Sequence, residues 1–145
     1  MPQKSIQIKR LYDDSCISFY DNSTIELIAM NIVTSDGMTI AKGDLPNIEI
    51  LPGDVLFIGC GLSFEMSQDY LGIVTNNTYS VNEKRIIPAG INIIDCQHTG
   101  ELVIPIINID NRTQIIEFGE SIARLKIIQN NMGGFSTTIK DIEIN

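Results

Sequence analysis

Residues 49–66 read EILPGDVLFIGCGLSFEM, and residues 89–108 read AGINIIDCQHTGELVIPIIN. The first stretch is two apolar runs split by Pro52-Gly53-Asp54. Proline presets φ for the leading position of a tight turn, and glycine accepts the positive φ that follows, so the chain reverses there. The second stretch has the same grammar. An Ile-rich run ends at Ile94, a mostly polar tip runs from Asp95 to Gly100, and an apolar run ends at Asn108. β-Branched runs this short, bounded by turn residues, form strands rather than helices.

The pattern extends outward in both directions. Residues 5–9 (SIQIK) alternate, and 24–34 (TIELIAMNIVT) form one long apolar stretch. Further strand segments are 37–40, 47–51, 54–66, 70–75, 91–94, 101–108, 113–118 and 121–128, and IKDIEI at 139–144 closes the series. Asp36-Gly37, Pro52-Gly53, Pro88 to Gly90, Thr99-Gly100 and Asp110-Asn111 punctuate them at roughly the 8–12-residue spacing of a sandwich or barrel. At most one short helix fits, near residues 80–85. There Ser80 and Glu83 have capping-box spacing and Lys84 and Arg85 suit the C-terminal end. Residues 132–138 (MGGFSTT) form either a tight loop or a hinge that carries a strand at 139–145 onto a neighbouring subunit. Residues 1–145 read as a single all-β domain.

Composition narrows the function. The chain has 145 residues, 43% of them apolar and 19% charged, with 28 Ile and no Trp. That supplies one core. A net charge of −8 repels phosphate backbones and anionic lipid, so neither nucleic acid nor a membrane is an expected partner. Cys16, Cys60 and Cys96 are odd in number and form no CxxC, and there is a single His. They read as idle thiols in a reducing compartment, with no structural metal and no cofactor of that kind. The leading MPQKSIQIKR alternates and carries charge, unlike a signal peptide, and no apolar run approaches the ~18–20 residues of a membrane span. A cytoplasmic location is the expectation.

From residue 47 to residue 128 the order of motifs resembles the trimeric dUTPases and the related dCTP deaminases. EILPGDVLFIGCGLSFEM is similar to that family's strand, Pro-Gly-Asp turn, strand and Thr-Gly-like break. AGINIIDCQHTGELVIPIIN resembles its substrate hairpin, and GESIARLKII at 119–128 its later G-[DE]-R-I-A-Q-L segment. The resemblance implies a jelly-roll or β-clip sandwich that assembles as a homotrimer with sites shared between subunits. It also implies attack of water on the α-phosphate of dUTP, with magnesium held mainly by the triphosphate. Asp95 then falls on the carboxylate that orients the water, although an Asp entering a hairpin turn also caps backbone amides. His98 falls where the family packs a Tyr ring against deoxyribose, and Gln97 replaces a second Asp.

The phosphate-binding Pro-Arg-Ser-[GS] segment of the family corresponds to Asn76-Asn77-Thr78-Tyr79-Ser80, which contains no Arg. A guanidinium offers forked, fully charged donors that Asn and Thr do not match. Thr78 keeps a hydroxyl there, and turn formation or helix capping is the other role of this segment. Asn31 stands where the first motif has Asp, Arg124 replaces a Gln, and Ser121 replaces an Arg. Gly133 to Thr137 is a partial echo of the final motif without its Arg.

Two functional readings follow. In the first the chain is a non-catalytic, homotrimeric structural or interaction protein. Its Ile- and Asn-leaning composition fits an AT-rich viral or phage genome. That reading makes it a virion decoration or fibre-base component among other viral structural proteins. In the second it is a divergent, magnesium-dependent dUTP diphosphatase. Asp95 is then catalytic, with His98, Thr78 and Arg124 on the substrate. The vacant Arg positions weigh toward the first reading, because a triphosphate carries about four negative charges that an acidic chain must otherwise meet through the metal.

Overall fold

A computed structural model of the chain describes residues 6–34, 38–41, 44–90, 92–131, 134–136 and 142–144. Within these, the strands are β1 (Ile6–Arg10), β2 (Ser18–Asp21), β3 (Thr24–Ile28), β4 (Asn31–Val33), β5 (Thr39–Ala41), β6 (Ile48–Ile50), β7 (Val55–Met66) and β8 (Tyr70–Asn76). They continue with β9 (Ile86–Pro88), β10 (Ile93–Ile94), β11 (Glu101–Asn108), β12 (Gln114–Ile116), β13 (Ser121–Asn131), β14 (Gly134–Ser136) and β15 (Ile142–Ile144). One short helix, Ser80–Lys84, lies between β8 and β9.

The strands form two main layers. One sheet has the order β15-β1-β7-β11-β9, with β4 also on β7 and β5 beyond β4; the other has the order β10-β8-β13-β3-β2, with β14 on β13. β6 and β12 make a separate ribbon. Alternation shows why the layers face one another. Along β11 every second residue from Leu102 to Asn108 is buried, as expected for a strand with one face in the core. Ile6, Ile58, Leu62, Phe64 and Ile104 of the first sheet share a single cluster with Ile25, Leu27, Val74, Leu125 and Ile127 of the second. Each such side chain stabilises the fold by about 1.5–3 kcal/mol relative to exposure.

The all-β expectation holds, and so does the turn that led to it. Asp54 N–H donates to Leu51 C=O at 3.0 Å, with Gly53 at φ +78°. Several details differ from the sequence reading. The run at 24–34 is not one strand. β3 pairs with β13 in one sheet, and β4 pairs with β7 in the other. The crossing is held where Gly119 N–H donates to Ala29 C=O (2.8 Å) and Met30 N–H to Gly59 C=O (2.9 Å). Ala29 and Met30 are both buried, so hydropathy carries no mark of the switch. β2, β9 and β14 are strands without a sequence expectation behind them, each only three or four residues long.

The helix falls where expected, but Ser80 does not cap it. Asn77 Oδ1 accepts the N–H groups of Tyr79 (3.0 Å) and Ser80 (3.3 Å), while Ser80 Oγ donates to Ser121 C=O at 3.2 Å. The turn is wound as a π-helix and stops at Arg85, whose φ is +56°. At the other end of the chain, β15 lies parallel on β1 of the same chain, with Ile6 opposite Ile142. The predicted turn at Asp36-Gly37 and residues 132–133 and 137–141 of the predicted loop and last strand lie outside the described residues.

Candidate functional site

The β10–β11 hairpin presents Asp95. Ile94 pairs with Gly72 of β8, and the chain then turns. Asp95 Oδ1 accepts Gln97 N–H at 2.9 Å, and His98 N–H donates to Asp95 C=O at 3.1 Å. Gly100, at φ +79°, releases the chain into β11. Asp95 therefore does cap its own turn, through one carboxylate oxygen. Its side chain is exposed, and the second oxygen has no partner among the described residues. His98 is half-buried rather than exposed at the tip, and its Nε2 is buried without a hydrogen-bond partner among the described residues.

One chain does not gather the four residues singled out from sequence. Asp95 follows the pairing of Ile94 with Gly72, whereas Thr78 lies beyond Asn76, where β8 ends. Four residue steps along β8 separate those points, on the order of 13 Å. Thr78 is exposed, and the structural work of its segment falls to Asn77 and Ser80. Arg124 is not a free cation. Its Nε donates to Glu26 Oε1 at 2.7 Å, and its guanidinium carbon sits 3.8 Å from the centroid of the Tyr20 ring.

Glu26 is the residue that the sequence reading passed over. Besides Arg124, it accepts hydrogen bonds at Oε2 from Asn77 Nδ2 (3.2 Å) and from Ser121 Oγ. Strand pairing explains the convergence. Glu26 and Arg124 are opposite one another on β3 and β13, and a register shift between Ser121 and Ala123 re-aims Ser121 toward the same carboxylate. A signal was present, since Glu26 is the only ionisable residue in the apolar run 24–34.

A second polar cluster surrounds Asn31, which is 1% exposed. Its Nδ2 donates to Glu101 Oε2 at 2.8 Å, and that oxygen also accepts Gly61 N–H at 2.7 Å. Asn31 Oδ1 has no partner among the described residues. The neighbouring Cys60 is fully buried, and burial followed by the nearby Glu101 charge pushes its thiol far above the usual range. Such a thiol stays protonated and unreactive. Burial, with a smaller contribution from Glu101, also raises Tyr12. Among the described residues no three His, Cys, Asp or Glu side chains come together as a metal site.

No family model matches the chain. It is 36% identical over 77 residues to the deoxyuridine 5'-triphosphate nucleotidohydrolase of two Leptospira interrogans strains, a match covering 52% of this chain and 53% of theirs. The chain thus spans about half the length of the curated relatives it matches. Among solved structures it superposes on the dUTPase of Staphylococcus bacteriophage 80alpha with a TM-score of 0.67 at 15% identity, covering 97% of each chain. The EIAV dUTPase superposes at 0.63 with 18% identity, covering 89% of this chain and 92% of its own. For the dUTPase from Streptococcus mutans the TM-score is 0.65 at 12% identity, with 88% and 96% covered. The chain is therefore dUTPase-like, in fold over most of its length and in sequence over half of it.

Proposed function

We propose that the chain is a divergent dUTPase-type nucleotide hydrolase working as a homotrimer. The observation that carries this reading is Asp95, exposed at the mouth of the hairpin with one carboxylate oxygen unengaged among the described residues. Sequence similarity to a named dUTP nucleotidohydrolase supports it. In this reading Asp95 holds a water and takes up its proton as that water attacks the α-phosphate. The separation of Asp95 from Thr78 within one chain favours a site completed by a neighbouring subunit. The described residues of one chain make no metal cage, so a magnesium ion would arrive with the triphosphate, whose charge it offsets. A phage dUTPase of the same fold is described as coordinating a structural Mg(II) ion.

Purified protein incubated with magnesium and dUTP, and separately with dCTP and dTTP, tests the reading through pyrophosphate release. Release from dUTP is expected, and Asp95→Asn should lower it by about 100-fold while leaving the fold intact. No release from protein shown to be folded would overturn it.

A second reading, a non-catalytic trimeric module with a viral structural partner, is favoured by two observations. Residues 76–80 hold no cation, and Arg124 is committed to Glu26. Phage dUTPases share the fold, which suits a viral source in either reading.

A further inference from the structure

The two sheets differ in what they turn outward. On the second sheet Arg124 lies opposite Glu26 of β3 and Thr75 of β8, and Lys126 follows two residues along β13. That is the polar outer face of an antiparallel sheet with one side in water. The first sheet breaks the alternation. Residues 102–107 of β11 read LVIPII, apolar at every position, although only alternate ones reach the core. Strand pairing carries the outward ones into two rows. Val33, Phe57 and Pro105 are cross-strand neighbours, and so are Val55, Ile107 and Ile87. These six side chains come from four strands and include no ionisable group. In one chain Val55 and Phe57 are 41% and 47% exposed. Strands that are apolar on both sides are characteristically covered on both sides.

Charge selects what covers this one. The chain carries a net −8, so two copies repel unless they meet where neither presents a charge. The outer face of the first sheet meets that condition. It can lie against its own copy without setting like charges side by side, whereas a partner that recognises charge finds nothing there to pair with. We propose that the outer face of β4, β7, β11 and β9 is the apolar centre of the contact between copies of this chain, with Phe57 and Pro105 in its middle. That the copies number three rests on the hydrolase reading; the choice of face rests on strand pairing and charge. β11 also leads out of the Asp95 hairpin, so a copy seated on this face is anchored on the strand that carries the hairpin.

Sedimentation equilibrium of the wild-type chain, Phe57→Lys and Phe19→Lys tests it. Phe19 lies on β2 of the other sheet and is 43% exposed, so the same substitution there is a matched control. Phe57→Lys should weaken self-association by about 100-fold or more, because assembly would bury an ammonium without a partner. Phe19→Lys should keep the wild-type mass. Should Phe57→Lys fail to fold, Phe57→Cys takes its place. In the assembled protein its thiol should react with iodoacetamide at least about tenfold more slowly than that of the exposed Cys16. A folded Phe57→Lys at the wild-type mass would overturn the proposal, as would a Phe57→Cys thiol that reacts as fast as Cys16. Either result on an assembled wild type removes this face alone and leaves the hydrolase reading standing. A wild-type chain that sediments singly removes both the face and the homotrimer.

Discussion

Single residues carry the stiffest constraints in this chain. Gly61 sits in β7 at φ +70°, and a Cβ there would come within 2.6 Å of Ser15 Oγ. Ser15 Oγ in turn donates to Gly61 C=O at 2.7 Å, and Gly61 N–H donates to Glu101. Gly61→Ala therefore combines an unfavourable backbone conformation with a displaced buried hydroxyl. A loss of about 2 kcal/mol or more is expected, read as a lower urea midpoint with an unchanged slope. The turn role of Asp95 belongs to the same scale and was legible, because turn chemistry is local. Glu26 was not, because its meaning depends on Arg124, 98 positions away.

Among the elements, the β2–β3 hairpin is held by a side chain that titrates. Asp21 Oδ1 accepts Ser23 N–H at 2.9 Å, and this bond is the largest cause of a carboxyl pKa below its ordinary 3.8. A group whose pKa is lower folded than unfolded stabilises the fold above the unfolded value. That contribution fades as pH falls through the folded one. Asp110 has the same sign. Burial works upward there, but hydrogen bonds from Asn111, Gln114 and Arg112 outweigh it. Asp21→Asn keeps an acceptor but cannot titrate, so its urea midpoint should fall less than that of wild type between about pH 6 and about pH 3. An equal fall in both proteins would remove Asp21 as a source of acid sensitivity.

The whole molecule leaves large apolar side chains in the open. Leu45, Val55 and Phe57 are 40%, 41% and 47% exposed, and they line a groove of about 610 Å³ together with Ile32 and Ile40. Exposed apolar surface of this kind suits a chain that associates. The proposed homotrimer should sediment at three times the 16.1 kDa of one chain, at a mass independent of dilution in the micromolar range. A single-chain mass under those conditions would remove the shared site on which the hydrolase reading depends.

Local chemistry sufficed for the strand-rich fold, the Pro52-Gly53 turn and the 95–100 hairpin tip. Each depends on φ preferences or a period-2 pattern within a few residues. That pattern says which side chains point inward, and it is silent on which strand lies alongside. Partition into two sheets was therefore decided by long-range pairing, as was the crossing at Ala29-Met30 inside an unbroken apolar run. The same pairing placed Glu26 opposite Arg124 and beside Ser121, and so joined three polar residues far apart in the chain into one hydrogen-bonded cluster.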